Sequence, residues 1–256
     1  MLAVTSLRQQ SGTFDEVIHL PPGYVSLTWR DHRMNPDHPP LVRRLAALPL
    51  LLVDVKVDPD DYAWRVARPW EFGKRFLYRW NDAGRLLFLG RLPIVFLGGI
   101  LAVAVFAWTR RHWGLPAAAL ALFLCVLSPD MLAHGQIVST DLGITLFTFL
   151  TVIAFERLLE GVTTRRLLLA GLSLGAALGT KFSGVGLLPI LGLLGLTVAL
   201  APESLPVIFR GTTRQARTRA RRLAVLTAAL VAMGLIAIIV VWRRMASARR
   251  SPATRR

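Results

Sequence analysis

Two adjacent carboxylates, Asp15 and Glu16, stand near the start of a proline-rich segment, residues 14–41, FDEVIHLPPGYVSLTWRDHRMNPDHPPL. A carboxylate can take a proton from the hydroxyl group of an acceptor molecule. The repeated prolines prevent one continuous helix, so we expect a structured loop. Such a collection of charges is costly beside lipid unless it faces a water-filled site. The segment is a candidate catalytic loop; alternatively, the two acids keep a loop soluble or cap a helix.

Three histidines in the same segment raise the question of a metal. They stand near two further acids, and the group comprises His19, His32, His38, Asp31 and Asp37. Their spacing matches no zinc signature, and the His-Pro-Pro element is typical of a rigid turn that orients the helix after it. We therefore assign no metal ligand here, while a bound divalent cation stays open as an alternative.

Three polar residues farther along the chain could also contact a substrate. Asp141 precedes an apolar run and either caps a helix or belongs to a site. His134 can donate to a phosphate or bond a backbone carbonyl. Lys181 lies between two apolar segments, where an unpaired ammonium is expensive, so a phosphate is a suitable partner.

The composition places the chain in a membrane. Of 256 residues, 54% are hydrophobic, and they occur in long runs. The net charge of +16 comes from arginines between these runs, as the positive-inside rule predicts, so we expect no nucleic-acid partner. The single cysteine, Cys125, lies in an apolar run and offers no disulfide.

Four regions follow from this pattern: residues 1–7 as a possible remnant of a first transmembrane helix, 8–86 as a large extracytoplasmic loop with interfacial helices, 87–242 as a transmembrane helical region, and 243–256 as a basic tail. We expect apolar helices over residues 86–108, 115–131, 142–155, 167–180, 185–200 and 223–242, with cytoplasmic Arg-rich turns at 156–166 and 203–222. The tail departs from the charge rule, which suggests a frameshift or early stop near Trp242.

Aromatic and small residues have structural interpretations. Five rings suit anchoring in the headgroup layer, with stacking on a sugar or polyprenyl chain as the alternative: Trp64, Trp70, Trp80, Tyr62 and Tyr78. Glycines every fourth residue predict close packing of one helix against another: Gly171, Gly175 and Gly179.

The order Asp-Glu, His, Gly-Tyr and Asn-Pro-x-His-Pro-Pro-Leu resembles the first extracytoplasmic loop of polyprenyl-phosphate-sugar-dependent glycosyltransferases of the GT-C class. The protein O-mannosyltransferases and the lipid A aminoarabinose transferases are closest in pattern. SPDMLAHGQIVSTDLGITLF over residues 128–147 is similar to a second such loop, and LGTKFS over 178–183 also fits. The resemblance spans residues 14–196.

This resemblance implies an all-α, multi-pass integral membrane protein, a GT-C-type helical bundle. It implies transfer of a mannose-like hexose or related sugar from a polyprenyl-phosphate donor to a protein or lipid acceptor, outside the cytoplasmic membrane. Asp15 would be the base, with Glu16 and Asp141 shaping the site. Substrate contacts would come from His19, Tyr24, His38, His134 and Lys181.

Two alternatives remain at this point. The chain could be a truncated, non-catalytic remnant of such an enzyme, because relatives have further membrane helices. It could also be a fragment of a transporter whose intramembrane charges line a solute path. The large Pro- and Trp-rich outer loop favours the transferase, since a transporter does not need it.

Overall fold

The computed structural model describes residue 7, residues 10–209 and residues 212–246. They form two compact units, one of Met1–Leu146 with Arg244–Arg256 and one of Phe147–Arg243. The predictions for residues 1–7 lie outside the described residues apart from Leu7, and those for the tail do so from residue 247 onward.

The first helix, α1, covers Phe14–Thr28 and contains Pro21 and Pro22. The expectation of a loop was therefore wrong for this part of residues 14–41. Neither proline can donate the usual helical hydrogen bond, so the carbonyls one turn earlier need other partners. The Ile18 carbonyl accepts from Asn35 Nδ2 at 2.8 Å. A side chain from the following loop thus replaces the bond that Pro22 removes.

Short helices follow in the region predicted to carry surface helices. They are α2 (Leu41–Ala47) with a 3-10 turn (Leu48–Leu52), then α3 (Tyr62–Arg65), α4 (Pro69–Lys74) and a π-helical turn (Arg75–Arg79). Helix α2 starts directly after Pro40, at the end of the His-Pro-Pro element. Asp61 caps α3 by accepting from the Ala63 N–H at 2.8 Å.

An aromatic cluster holds these short helices together. Trp64 is only 3% exposed, and its ring lies 5.5 Å from that of Phe72. Phe72 also contacts Phe76 and Trp80, at 6.0 and 5.9 Å between ring centroids. The prediction that Trp64 anchors in the headgroup layer was wrong, because its ring is buried inside the protein.

The longest helical element, α5, covers Ala83–Leu127. Asp82 caps its start by accepting from the Arg85 N–H at 3.1 Å. Gly114 interrupts it with φ 81° and ψ −176°, a conformation that glycine tolerates and that separates two helices. This break agrees with the predicted end of one apolar helix near residue 108 and the start of another near 115.

The remaining helices are α6 (Pro129–His134), α7 (Asp141–Leu159), α8 (Thr164–Leu178), a 3-10 turn (Phe182–Gly186), α9 (Leu187–Leu200) and α10 (Arg219–Ala246). Four helical stretches are long and apolar enough to cross a membrane: Ala83–Leu127, Asp141–Leu159, Phe182–Leu200 and Arg219–Val241. This agrees with the expected all-α, multi-pass membrane fold. Helix α8 is shorter than these four.

The glycine pattern marks a helix contact as predicted. A Cβ on Gly171 would lie 2.8 Å from the Cβ of Ile236, and one on Gly175 would lie 2.9 Å from that of Val240. Helices α8 and α10 approach this closely because both positions lack a side chain. Gly179 instead ends α8 as its C-cap residue.

A small three-stranded sheet in the second unit was not predicted. Strand β1 (Val162–Thr163) pairs in parallel with β2 (Leu205–Phe209), which pairs in antiparallel fashion with β3 (Thr212–Ala216). The register joins Val162 to Val207. The two turns predicted to be cytoplasmic therefore contact each other and lie on one side of the unit.

Candidate active site

The Glu16 carboxylate is completely buried at the start of α1 and is bound from several directions. Its Oε2 accepts from the Thr13 backbone N–H at 2.9 Å and the Thr13 hydroxyl at 3.2 Å. Arg91 donates to Oε1 from Nε and to Oε2 from a terminal nitrogen, both at 2.7 Å. Such a bidentate pair fixes the carboxylate in one orientation.

Arg91, on α5, uses all of its N–H donors in this contact. Besides Glu16, its guanidinium donates to three backbone carbonyls that precede α1: Leu7 at 2.8 Å, Gln10 at 3.0 Å and Ser11 at 3.0 Å. The buried charge is therefore both paired and fully hydrogen-bonded, which a buried ion pair requires. Arg91 attaches the start of α1 to a predicted membrane helix.

Arg91 was not among the residues predicted to belong to the site. A single arginine within the apolar run of residues 86–108 is the signal that could have revealed it, because such a residue needs a partner or a water-filled cavity. The sequence gives no indication that the partner lies 75 positions earlier at Glu16.

The segment that precedes Asp141 meets the same carboxylate. The Val138 N–H donates to Glu16 Oε1 at 3.2 Å, and Gln10 Nε2 donates to Gln136 Oε1 at 3.4 Å. The two stretches identified as loops of a site therefore contact each other through Glu16. Asp141 follows Val138 by three residues and begins α7.

Asp15 has different surroundings from Glu16, although the two are adjacent. Its side chain is half-buried, and within the described residues its carboxylate makes no hydrogen bond or ion pair. Its neighbour Phe14 is exposed and contacts Trp70 in a tilted arrangement, with ring centroids 3.5 Å apart and the ring planes inclined by 53°. An accessible carboxylate beside an aromatic surface can accept a proton from a bound molecule.

Two histidines of the first segment lie where α1 contacts the loop that follows it. His19 is 4% exposed, and its Nδ1 lies 3.3 Å from Asn35 Nδ2. Its ring contacts that of His38 at 5.5 Å between centroids. Both rings therefore lie between α1 and the loop that leads to α2.

Tyr24, on α1, packs against Phe76 with ring centroids 5.7 Å apart. Burial, together with the negative charge of Asp54, raises the pKa of the Tyr24 hydroxyl above its usual value. The hydroxyl is therefore protonated at neutral pH and is available as a hydrogen-bond donor.

Two arginines of α2 and a histidine of the preceding loop form a basic cluster. Arg43 is 2% exposed and donates to the Asn35 carbonyl at 2.6 Å. Burial and the charge of Arg44 lower the pKa of Arg43 to about 10. The Nε2 of His32 lies 2.9 Å from an Arg44 nitrogen. Burial, followed by the charges of Arg44 and Arg43, lowers the pKa of His32 to about 4, so this imidazole is neutral at physiological pH.

The other predicted substrate contacts lie elsewhere. His134 is exposed at the end of α6. Lys181 belongs to the second unit, where it precedes the 3-10 turn and its carbonyl accepts from the Gly184 N–H at 3.0 Å. Asp141 is half-buried, and its N–H donates to Ser139 Oγ at 3.3 Å.

A polar pocket of about 270 Å³ lies at the start of α5. It is lined by Asp54, Lys56, Arg79, Trp80, Asn81, Asp82, Arg85 and Leu86. Of the residues singled out in the sequence, it contains only Trp80, one of the rings whose alternative role is stacking on a sugar or polyprenyl chain.

Among the described residues, no group of three or more His, Cys, Asp or Glu side chains is arranged to hold a metal ion. His19 and His38 contact each other without acidic residues completing such a group. The divalent cation left open above therefore has no candidate ligand set in this part of the chain.

Comparison with known proteins places these features in one family. The family model described as dolichyl-phosphate-mannose-protein mannosyltransferase matches residues 10–202, which include α1, Arg91, Asp141 and Lys181. No curated protein and no solved structure shows significant similarity to the chain. Since the match covers well over half of the 256 residues, the chain belongs to the dolichyl-phosphate-mannose-protein mannosyltransferase family of membrane glycosyltransferases.

Proposed function

We propose that this protein transfers a mannose-like hexose from a polyprenyl-phosphate donor to a hydroxyl group on a protein or lipid acceptor, on the extracytoplasmic side of the cytoplasmic membrane. The family supports the type of reaction and the donor class. The observation that carries the proposal is the contrast between two neighbouring acids, since Glu16 is buried and fully bonded whereas Asp15 is accessible.

In this proposal Asp15 is the general base. Its carboxylate takes the proton of the acceptor hydroxyl while the acceptor oxygen bonds to the anomeric carbon of the sugar. The bond between that carbon and the phosphate oxygen breaks, and its electrons leave with the polyprenyl phosphate. A base for this step must be reachable by the acceptor, and Asp15 meets that condition.

Glu16 acts as a positioning residue. All of its bonds are made within the protein, to Arg91, Thr13 and Val138, so it has no free lone pair aimed at a substrate. These bonds fix the first turn of α1, which carries Asp15. A base held in one orientation needs little reorganisation during the reaction.

Asp141 would arrange the site from the second loop, because the Val138 contact brings its segment to the same carboxylate. Tyr24, with its protonated hydroxyl, would donate to the sugar. The remaining proposed substrate contacts are His19, His38, His134 and Lys181, of which Lys181 would face the donor phosphate. The Phe14 and Trp70 pair would offer an aromatic surface to a sugar ring.

The test is a transfer assay in membranes that contain the protein, with labelled polyprenyl-phosphate mannose. Separate reactions receive a Ser/Thr-rich acceptor peptide or a lipid acceptor. We expect Asp15→Asn to lower turnover at least about a hundredfold, the usual contribution of a general base. The matched control is Asp60→Asn, which removes an exposed carboxylate in the same unit and should leave turnover unchanged.

Equal turnover by the Asp15→Asn variant and the unaltered protein would remove Asp15 from the role of base. The acceptor that becomes labelled decides between protein and lipid. Sealed spheroplasts and inverted vesicles, each supplied with an impermeant acceptor peptide, decide the side of the membrane: labelling in inverted vesicles alone would contradict an extracytoplasmic site.

A further inference from the structure

The three-stranded sheet of the second unit gathers the ends of several helices. Strand β1 lies between α7 and α8, while β2 and β3 lie between α9 and α10. Pairing of β1 with β2 requires these two connections to be adjacent. Three of the four helices, α7, α10 and α9 with the 3-10 turn before it, provide stretches long and apolar enough to cross a membrane. The sheet therefore lies where these stretches end.

A buried arginine near the start of α10 joins the two segments between which the hairpin of β2 and β3 lies. Arg222, only 2% exposed, donates to the carbonyls of Ala199 at 3.0 Å, Ala201 at 2.6 Å and Arg217 at 2.8 Å. These carbonyls belong to the end of α9 and to the segment just before α10. The chain that enters the hairpin and the chain that leaves it are consequently held together at the end of α9 and the start of α10.

The hairpin and the start of α10 expose four cations. The four residues are Arg214, Arg217, Arg219 and Arg221. In the part of the chain that the structure describes, their side chains make no hydrogen bond or ion pair. Two apolar side chains of β2, Ile208 and Phe209, are 38% and 59% exposed. These arginines and apolar side chains lie at the ends of helices that can cross a membrane. Guanidinium groups beside apolar side chains suit the headgroup layer of a bilayer, which is both charged and partly apolar.

We propose that these four arginines form a binding surface for the phosphate groups of anionic phospholipids in the leaflet next to the hairpin. A guanidinium group binds phosphate oxygens in bidentate fashion, and basic clusters beside a membrane helix attract anionic headgroups. Free phosphate offers the same oxygens, but the fixed position of the hairpin favours phosphates held at the membrane surface. The charge pattern places this leaflet on the cytoplasmic side. This surface is independent of the site around Asp15.

The experiment uses the full chain in lipid nanodiscs of phosphatidylcholine, with and without phosphatidylglycerol. Spin-labelled lipids report the preference for the anionic lipid at the protein surface. The test variant combines Arg214→Gln, Arg217→Gln, Arg219→Gln and Arg221→Gln. The matched control removes the same charge from exposed cations of the first unit by combining Lys56→Gln, Arg65→Gln, Arg79→Gln and Arg85→Gln.

We expect the unaltered protein to prefer phosphatidylglycerol by at least about tenfold at low salt, with the preference weakening as salt is added. The test variant should lose most of this preference and the control should keep it. Equal preference in the test variant and the unaltered protein would overturn the proposal, and so would equal loss in the test variant and the control.

Two further arms keep the result interpretable. A variant with lysine at the same four positions keeps the charge and should keep most of the preference for the anionic lipid, even if the glutamine variant folds poorly. Loss of the preference in the lysine variant would contradict an electrostatic surface. Glycerol phosphate in solution should not displace the lipid. Displacement of the anionic lipid by glycerol phosphate at an equal concentration would overturn the proposal. Binding of a short single-stranded oligonucleotide more tightly than the anionic lipid would also overturn it.

Discussion

Arg91 Nε and Glu16 Oε1 lie 2.7 Å apart between two side chains that are completely buried. This contact joins the start of α1 to α5, and the Val138 N–H adds the second loop to the same carboxylate. One buried ion pair thus holds together three segments that are distant in sequence. Its energetic importance lies in the cost of removing one partner, since the remaining charge would stay buried and unpaired.

Replacement of Glu16 by glutamine is therefore expected to destabilise the first unit by about 3–5 kcal/mol, the range for breaking a buried pair. The measurement is the free energy of unfolding in detergent. Glu71→Gln is the control, because its ion pair with Arg68 is exposed and should contribute less than about 1 kcal/mol. Similar losses in the two variants would contradict the central role of the Glu16–Arg91 pair.

The neighbouring substitution Asp15→Asn should leave stability within about 0.5 kcal/mol of the unaltered protein, because the Asp15 carboxylate has no partner within the described residues. Thermal unfolding in the same detergent provides the measurement. Two adjacent acids would then affect different properties, with Asp15 changing turnover and Glu16 changing stability. A large loss of stability in Asp15→Asn would show that any loss of turnover reflects unfolding.

Stability should decrease as the pH falls from about 6.5 to about 4, in part because of His32. In the folded protein, burial and the charges of Arg44 and Arg43 lower the pKa of His32 to about 4 from 6.5, while Asp31 acts in the opposite direction. Between these values the unfolded chain binds a proton that the folded one does not, so unfolding becomes easier.

Thermal unfolding at a series of pH values measures this effect. His32→Gln can still accept from Arg44 but does not titrate, so it should reduce the pH dependence within that window. An unchanged pH profile in the variant would show that other groups account for the acid sensitivity.

Gly73→Ala should destabilise the first unit by about 1–3 kcal/mol, the usual cost of overpacking. A Cβ at Gly73 would overlap the carbonyl oxygen of Val17, one of the carbonyls that lose their helical donor at the prolines. Gly99→Ala is the control, since a Cβ there would have no atom within 4 Å. Unfolding in detergent should separate the two variants, and equal midpoints would argue against the close approach of α4 to α1.

Gly175→Val should weaken the packing of α8 against α10 by a similar amount, about 1–3 kcal/mol. The added side chain would meet Val240 and the backbone of Ala237. Gly192→Val provides a control on α9, where the site is open. The unfolding midpoint of each variant in detergent checks this, and a more stable Gly175→Val variant would contradict the contact.

Much of the fold could be predicted because its signals are local. Apolar runs of sufficient length located the membrane-crossing stretches, and Gly114 falls between two predicted helices. The glycines at 171 and 175 marked a helix contact correctly. The Asp-Glu pair and the later polar segment were identified as parts of one site, and the Val138 contact brings those segments together. The inferences on the apolar runs and the glycines depend on composition and spacing within a short window, whereas the link between the two polar segments came from the resemblance to the transferase family.

The tertiary structure decided what depends on partners far away in sequence. Helix α1 continues through two prolines because Asn35 bonds one carbonyl that a proline leaves free. The sheet forms because β1 pairs with β2, a strand more than forty residues later in the chain. A two-residue strand such as Val162–Thr163 carries no pattern that predicts this pairing. Likewise, the family resemblance assigned different roles to Asp15 and Glu16, but their different surroundings, with Glu16 buried against Arg91, were visible only in the structure. The physical reason is that hydropathy and backbone preference are properties of neighbouring residues, whereas the cost of burying a charge or a carbonyl depends on which distant group satisfies it.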